Sequence, residues 1–336
     1  MPADRNYKLD HAKLLFIFCV VLGHIAAVFE KDSTPLHCAR VYVYLFHVPG
    51  FVFVSGLFAK SSVKNNRWDR AVSFILLFLF MTIVKCAFAL IRKASPRLDL
   101  LDVTDTRWYA LGMFFWYAAS ILLKRANPRW VMLGAVLLSM AAGYFPDRYA
   151  NTFALLRAVN FFPFFYAGLL TDPKRLTDLL GKKQIRIASA AIVLAAAALV
   201  SLKIKGLSAW LHLFRALCAY REIDTVLPVW SGAFWRLGAF LVSAVMGLAW
   251  ISVMPGKQIP KISDLGARTL PVYAFHGPVY QTILYLLPAL DEGIRKSPFI
   301  LGLLFSVFIL VICSLPVFDR SVRKFMSLAI KKEENT

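Results

Sequence analysis

Charged residues are scarce in this sequence: Asp, Glu, Lys and Arg make up 17% of its 336 residues, whereas soluble domains contain about 25%. The apolar share of 59% is correspondingly high. Cysteines are few and odd in number, at five, and the 17 glycines follow no repeating spacing. These shortages argue against a soluble globular domain, a disulfide scaffold and collagen, and the apolar content argues against disorder.

The apolar residues are gathered into ten long runs, separated by charges or by Pro and Gly breaks. A helix needs about 20 mainly apolar residues to cross a hydrocarbon core of about 30 Å. The sequence therefore predicts an all-α polytopic transmembrane helical bundle, forming one membrane domain over residues 1–336 with no soluble domain. The predicted spans are 11–29, 41–59, 71–91, 108–123, 130–145, 153–170, 187–202, 233–254, 269–288 and 299–318.

Lysine and arginine set the predicted orientation, because they are enriched on the cytoplasmic side of membrane proteins. With the N-terminus cytoplasmic, 23 of the 39 basic residues fall inside and 15 outside. Both termini are therefore predicted to be cytoplasmic. The net charge of +20 is then mainly a topology signal, and we expect membrane lipids rather than nucleic acid as its partners. A secretory signal is the alternative for the first run, but nine further runs favour a retained span.

Three histidines lie inside predicted spans, where ionisable side chains are costly and usually functional. Lys13 and His24 are eleven positions apart, which places them on one helix face about 16 Å from each other along the axis. His47 enters the second span at a similar depth, so its ring can face that of His24. His276 lies in the ninth span. The alternative is that each histidine is a separate core residue bonded to a backbone carbonyl or a serine.

The pattern around these residues resembles the acyltransferase-3 family of integral-membrane O-acyltransferases, in particular its fucose O-acetylase-like branch. That family carries a basic residue, ten residues and then a histidine in its first span, as Lys13 and His24 do. Arginine is the commoner basic residue there, and lysine lacks its planar fork. The family's Arg-x-x-Arg signature after the second span matches Arg67 and Arg70. Softer matches are Trp108–Leu111, Phe161–Gly168 and Val272–His276.

The resemblance implies transfer of an acyl group, most plausibly acetyl, from cytosolic acyl-CoA to a hydroxyl of a sugar, glycan or glycolipid, in a bacterial cell membrane. His24 is the expected general base, since histidine suits such work near neutral pH. His47 or His276 as an acyl carrier is the second choice. Arg67 and Arg70 are expected to bind the coenzyme A phosphates, with Lys13 as a point charge that Asp10 pairs with and positions.

On the acceptor side we expect His276 and Trp108, although a tryptophan at an interface is more often a membrane anchor. The loop from Lys203 to Ser231 is a further acceptor candidate; its relevant side chains are Trp210, Arg215, Arg221, Glu222, Asp224 and Trp230. A disulfide between Cys38 and Cys218 stays open. The histidines and acids lack zinc-site spacing, so no metal is predicted.

Two other classes remain open. A transporter or flippase of a lipid-linked sugar would use His24, His47, Lys85 and His276 as coupling or substrate groups. The lack of a visible internal repeat argues mildly against it. A membrane scaffold is the third class, and costly intramembrane histidines argue against that one. The oligomeric state is not predicted.

Overall fold

The structure is a computed structural model that describes residues 5–145, 152–207, 210–216, 219–223 and 228–330. This part of the chain is helical, with no β-strand and one isolated bridge between Asp102 and Thr152. The all-α prediction is confirmed. The helices are α1 (Tyr7–Phe29), α2 (Thr34–Tyr44), α3 (His47–Lys64), α4 (Trp68–Ile91), α5 (Trp108–Leu122), α6 (Pro128–Ala142), α7 (Leu155–Leu170), α8 (Pro173–Leu180), α9 (Lys183–Leu207), α10 (Leu211–Arg215), α11 (Gly232–Val253), α12 (Ile262–Ala267), α13 (Thr269–Leu286), α14 (Pro288–Lys296), α15 (Pro298–Cys313) and α16 (Pro316–Met326).

Each of the ten predicted spans overlaps at least one of these helices, but fewer helices meet the demands of a membrane crossing. Within the described residues, five helical segments are long and apolar enough: Tyr7–Asp32, Thr34–Lys64, Trp68–Ile91, Lys183–Ile204 and Val229–Val253. A sixth exists if α15 and α16, bent by 55° relative to each other, form one span. Helices α5, α6 and α7 are apolar but shorter. The number ten and the cytoplasmic termini therefore stay predictions.

Helix α1 occupies the centre of the bundle. Its neighbours are α2, α3, α11, α12, α13 and α15. Asn6 caps the start of the helix: its side-chain oxygen accepts a hydrogen bond from the Leu9 amide N–H at 3.2 Å. Because Lys13 and His24 lie near opposite ends of α1, they mark two ends of the bundle, which we call the Lys13 end and the His24 end.

The second predicted span, 41–59, is broken between α2 and α3, and the break places a histidine at the start of α3. Pro49 lacks an amide hydrogen, so the carbonyl of Leu45 four residues earlier loses its helical partner. The Ser243 hydroxyl of α11 donates to that carbonyl at 2.7 Å. His47 begins α3 directly after the break.

In α7, too, a serine from a neighbouring helix replaces a missing helical hydrogen bond. Pro163 lies inside this helix. The carbonyl that this proline leaves unpaired belongs to Val159. The Ser139 hydroxyl of α6 lies 2.9 Å from it and shares its proton between this carbonyl and that of Ala135 at 2.8 Å. Neighbouring helices and serines commonly replace the lost bond in membrane helices. The proline is thus accommodated within α7.

Helices α3 and α7 pack with their backbones in contact at two glycines. A Cβ atom at Gly56 would lie 2.0 Å from the Phe165 carbonyl oxygen, and one at Gly168 would lie 2.0 Å from the Phe53 carbonyl oxygen. Small residues allow this close approach between membrane helices. The contact fixes α3, and therefore His47, relative to the rest of the bundle.

Candidate active site

The three intramembrane histidines gather at the His24 end of the bundle. The rings of His24 and His276 are in contact, with centroids 5.3 Å apart. The ring of His47 meets Tyr44 edge-on at 4.7 Å. His24 and His47 line the same cavity, while the ring that His24 contacts is that of His276 in α13.

Backbone carbonyls determine which nitrogen carries the proton in two of these rings. His47 Nδ1 lies 2.6 Å from the Val43 carbonyl oxygen, and His276 Nδ1 lies 2.9 Å from that of Val272. Since a carbonyl oxygen only accepts, both Nδ1 atoms donate. In each neutral ring Nε2 is left as the acceptor, and the buried Nε2 of His276 has no hydrogen-bond partner in the described part of the chain.

Two cavities meet at His24. The first, of about 120 Å³, is lined by His24, His47, Trp108 and Arg157, and we call it the histidine cavity. The second, of about 330 Å³, extends along α4 and α13 past Lys85 and Gln281, and we call it the polar cavity. His24 lines both, as do Thr104, Asp105 and Thr106. The half-buried imidazole of His24 is therefore accessible to molecules in two compartments.

A charged network in the connection between α4 and α5 closes one side of these cavities. Asp105 accepts a hydrogen bond from Arg107 Nε at 2.8 Å and lies 3.1 Å from Lys85 Nζ. Arg107 is buried and also donates to Thr82 at 2.8 Å. Burial acts to raise the pKa of Asp105, but the hydrogen bonds and charge of Arg107, together with the charge of Lys85, hold that pKa below its usual range. Asp105 is thus a fixed carboxylate in the lining of both cavities that His24 lines.

Aromatic side chains form part of the wall of the histidine cavity. Trp108 packs against Phe161 with ring centroids 5.3 Å apart, and the Arg157 guanidinium lies 5.5 Å from the centre of the Trp108 ring. Tyr109, on the same wall, shares a 2.6 Å hydrogen bond with Ser55 of α3. Trp108 therefore faces the cavity as well as its aromatic neighbours.

The Lys13 end holds a separate cluster of charges. Asp10 bridges Arg5 Nε at 2.6 Å and Lys13 Nζ at 2.7 Å, so the expected pair of Asp10 and Lys13 is present. Lys13 also lies over the ring of Phe58 in α3, at 4.7 Å. His11, one residue after Asp10, uses both ring nitrogens, bonding to the Pro255 carbonyl and the Ser263 hydroxyl at 2.9 Å each.

The two arginines of the Arg-x-x-Arg signature are in different situations. Arg67 donates hydrogen bonds to the Asp69 carboxylate from two nitrogens, Nε at 2.9 Å and Nη2 at 2.8 Å. Arg70, in the first turn of α4, has an exposed side chain. The guanidinium fork of Arg67 is therefore partly occupied by its own chain, whereas that of Arg70 faces the surroundings of the bundle.

The structure thus brings together half of the residues expected from the sequence. His24, His47 and Trp108 line one cavity, and His276 contacts His24. The residues at the other end are Asp10, Lys13, Arg67 and Arg70, and none of them lines the histidine cavity or the polar cavity. The helix rise of about 16 Å between Lys13 and His24 separates the two groups.

Sequence reasoning did not assign Asp105, Arg157 or Tyr44 to the site. Arg157 carries the clearest signal, because it is a lone charge within a predicted span. Asp105 and Tyr44 give no comparable signal, since one belongs to a charged connection and the other to an aromatic run.

The predicted acceptor loop is only partly described. Arg215 lines the histidine cavity, Trp210 lies beside a neighbouring apolar cavity, and Trp230 is exposed. Asp224 and Cys218 lie outside the described residues, as does the side chain of Glu222. The proposed partner of Cys38 therefore lies outside them too.

The central helix with its lysine and histidine, and the cavities that meet at this histidine, have the character of a membrane-embedded transferase. The chain belongs to the acyltransferase-3 family: the family's model, described as an acyltransferase domain, matches residues 6–318. The expected family membership is confirmed.

Two curated relatives share part of the sequence. Nodulation protein NolL of Sinorhizobium fredii is 23% identical over 152 residues, which cover 40% of this chain and 42% of that protein. Nodulation protein NolL of Mesorhizobium japonicum is 24% identical over 111 residues, covering 31% and 29% respectively. The chain thus matches less than half the length of these relatives. No solved structure matches it.

Proposed function

We propose that this membrane acyltransferase moves an acetyl group from acetyl-CoA to a hydroxyl of a sugar, glycan or glycolipid. The observation that carries the proposal is the position of His24, where two cavities meet in a chain of the acyltransferase-3 family. A transfer between two substrates needs one catalytic group that both can reach. A flippase, the second class that the sequence left open, does not require such a meeting point.

In the proposed reaction His24 takes the proton of the acceptor hydroxyl while the hydroxyl oxygen attacks the thioester carbonyl carbon. The C–S bond then breaks, and the imidazolium returns the proton to the departing thiolate. This general-base step is typically worth 10²–10⁴-fold in rate. The transfer is direct, without an acyl-histidine intermediate.

His276 supports this step by positioning His24. Its Nδ1 is committed as a donor to α13 carbonyls, so its unpartnered Nε2 can accept only from a donor nearby. The ring in contact is that of His24. A hydrogen bond from one His24 nitrogen to His276 would orient the other nitrogen toward the acceptor hydroxyl and stabilise the imidazolium. Trp108 offers an aromatic face on which the apolar side of a sugar ring can stack.

The donor is proposed to dock at the Lys13 end, with both termini on the cytoplasmic side of a bacterial cell membrane. Arg70 is exposed there, and Lys13 lies on the first helix below His24. Charge-assisted hydrogen bonds to the coenzyme A phosphates would hold the nucleotide part. The thioester arm then follows α1 toward His24.

Labelled transfer tests the proposal. Membranes containing the full chain are incubated with [¹⁴C]acetyl-CoA, and the glycan and glycolipid fractions are analysed by mass spectrometry for added acetyl esters. We expect label in these fractions only when the protein is present. A protein that translocates a lipid-linked sugar across vesicles but leaves the label in acetyl-CoA would overturn the proposal in favour of the flippase.

A further inference from the structure

A third cavity lies beside the histidine cavity, and its walls are almost entirely apolar. It has a volume of about 330 Å³ and lies between α2, α9, α10 and α11. Leu199 and Trp235 contribute to its lining and are exposed on the outside of the bundle. Both α9 and α11 are among the helices long enough to cross a membrane. The apolar cavity therefore lies beside the apolar outer surface of two candidate membrane spans.

The apolar cavity and the histidine cavity share one wall residue. Phe214 lines both, and Arg215, the next residue, lines the histidine cavity. The Arg215 guanidinium lies 6.0 Å from the centre of the Tyr44 ring and has no acidic partner within the described part of the chain. Arg215 thus lies next to the residue that forms a common wall of the apolar cavity and the cavity that contains His24.

Arg215 brings a positive charge to the lining of the histidine cavity, whose one described carboxylate is Asp105. That carboxylate already pairs with Arg107 and Lys85. Charge complementarity therefore favours an anion next to Arg215.

We propose that the acceptor is a glycolipid in which a phosphate group joins a hydrocarbon chain to the sugar. The chain lies in the apolar cavity, the phosphate meets Arg215, and the sugar hydroxyl reaches His24. This assignment rests on the proposed function in one respect, which is that the ligand is the acceptor of the acyl group. The binding site itself does not depend on acyl transfer.

Coenzyme A also carries phosphates, but the surroundings of Arg215 suit it less well. The compartment next to Arg215 is apolar, whereas the nucleotide of coenzyme A is polar. The donor is also proposed to dock at the opposite end of α1. A hydrocarbon chain with an attached phosphate can fill the apolar cavity and also pair with an arginine. A nucleotide can pair with the arginine but does not match the apolar walls.

Binding to the purified full-length protein tests the site, with native mass spectrometry as the readout. The probes are geranylgeranyl phosphate, geranylgeraniol and coenzyme A. Gly238→Leu fills the apolar cavity, because nothing lies within 4 Å of a Cβ atom at this position. Gly134→Leu, in α6 and equally unobstructed, is the matched control. Arg215→Gln removes the cation and keeps much of the side chain.

We expect Gly238→Leu to weaken binding of both prenyl probes about tenfold, and Arg215→Gln to weaken geranylgeranyl phosphate about tenfold with little effect on geranylgeraniol. Gly134→Leu should bind like the wild type. Ala196→Leu, on the α9 wall of the same cavity, repeats the test if Gly238→Leu does not fold.

Two results would overturn the assignment. One is geranylgeranyl phosphate binding that neither substitution changes. The other is a loss of coenzyme A binding in Arg215→Gln without a loss of geranylgeranyl phosphate, which would assign the arginine to the donor. Failed acetyl transfer with intact, Arg215-dependent prenyl phosphate binding would instead contradict the proposed function and leave the binding site standing.

Discussion

The imidazoles of His24 and His276, 252 positions apart in the sequence, are in contact at 5.3 Å between ring centroids. One belongs to the central helix α1 and lines both the histidine cavity and the polar cavity. The other is fully buried in α13, with Nδ1 bonded to the backbone and Nε2 unpartnered among the described residues. An accessible imidazole next to a buried acceptor is the arrangement that a positioned general base requires.

The first prediction distinguishes the roles of the two ring nitrogens of His276. In His276→Asn the amide can still donate to the Val272 carbonyl but does not reach the Nε2 position; in His276→Gln the longer side chain does. If Nε2 orients His24, the Asn variant should lose at least about tenfold in kcat, and Gln should retain more activity. The KM for acetyl-CoA should stay unchanged in both.

His11→Gln is the control for that pair, because His11 lies at the Lys13 end with both ring nitrogens already bonded. It should affect stability without selectively lowering kcat. Equal kcat losses in the Asn and Gln variants of His276 would show that its Nε2 atom has no role in the reaction.

The second prediction concerns the contact between α3 and α7. Gly56→Ala places a methyl group against the Phe165 carbonyl oxygen, so the helices must separate. We expect a loss of about 1–3 kcal/mol in unfolding free energy, the usual cost of overpacking, measured by thermal unfolding in detergent. Gly134→Ala, whose Cβ would meet nothing within 4 Å, should be neutral or slightly stabilising. Equal stability of the two variants would contradict the close packing.

The third prediction follows from the low pKa of Asp105. Because its folded pKa lies below the unfolded value of about 3.9, its contribution to stability is fully present above that value and is lost as the pH falls through the folded pKa. The melting temperature of the wild type should therefore fall more steeply than that of Asp105→Asn as the pH drops below about 4. Asp178→Asn, in α8, is the matched control and should follow the wild type. Parallel curves for wild type and Asp105→Asn would refute this contribution.

The fourth prediction distinguishes the roles of Arg67 and Arg70. Arg70→Ala should raise the KM for acetyl-CoA with kcat preserved, because a lost phosphate contact weakens binding before it changes the chemistry. Arg67 is held by Asp69, so Asp69→Ala tests whether that pair competes with the donor. If Arg67 also meets phosphate, Asp69→Ala should lower the KM and Arg67→Ala should raise it. Unchanged donor KM in all three variants would mean that the donor docks elsewhere.

How much the sequence reveals differs between the helices and the site. The positions of the apolar runs follow from composition, and the shared face of Lys13 and His24 follows from helical periodicity. The contact between His24 and His276 does not, because periodicity within one helix contains no information about which distant helix packs against it. The sequence instead favoured His47, which lies at a similar depth on the next predicted span.

The break in the second predicted span shows a similar limit. The apolar run 41–59 contains Pro49, a known helix breaker, yet the run reads as one span. The break is stable because Ser243, almost 200 positions later, bonds the freed Leu45 carbonyl. Such a partner is visible only in the folded bundle.

The most direct test of the account is acetyl transfer by His24→Gln, measured with [¹⁴C]acetyl-CoA and the labelled acceptor fraction. The substitution keeps a polar side chain but removes the base. The account predicts a rate loss of about 10²–10⁴-fold, with acetyl-CoA binding and the melting temperature close to those of the wild type. Transfer within about threefold of the wild-type rate would contradict the assignment of His24 as the general base.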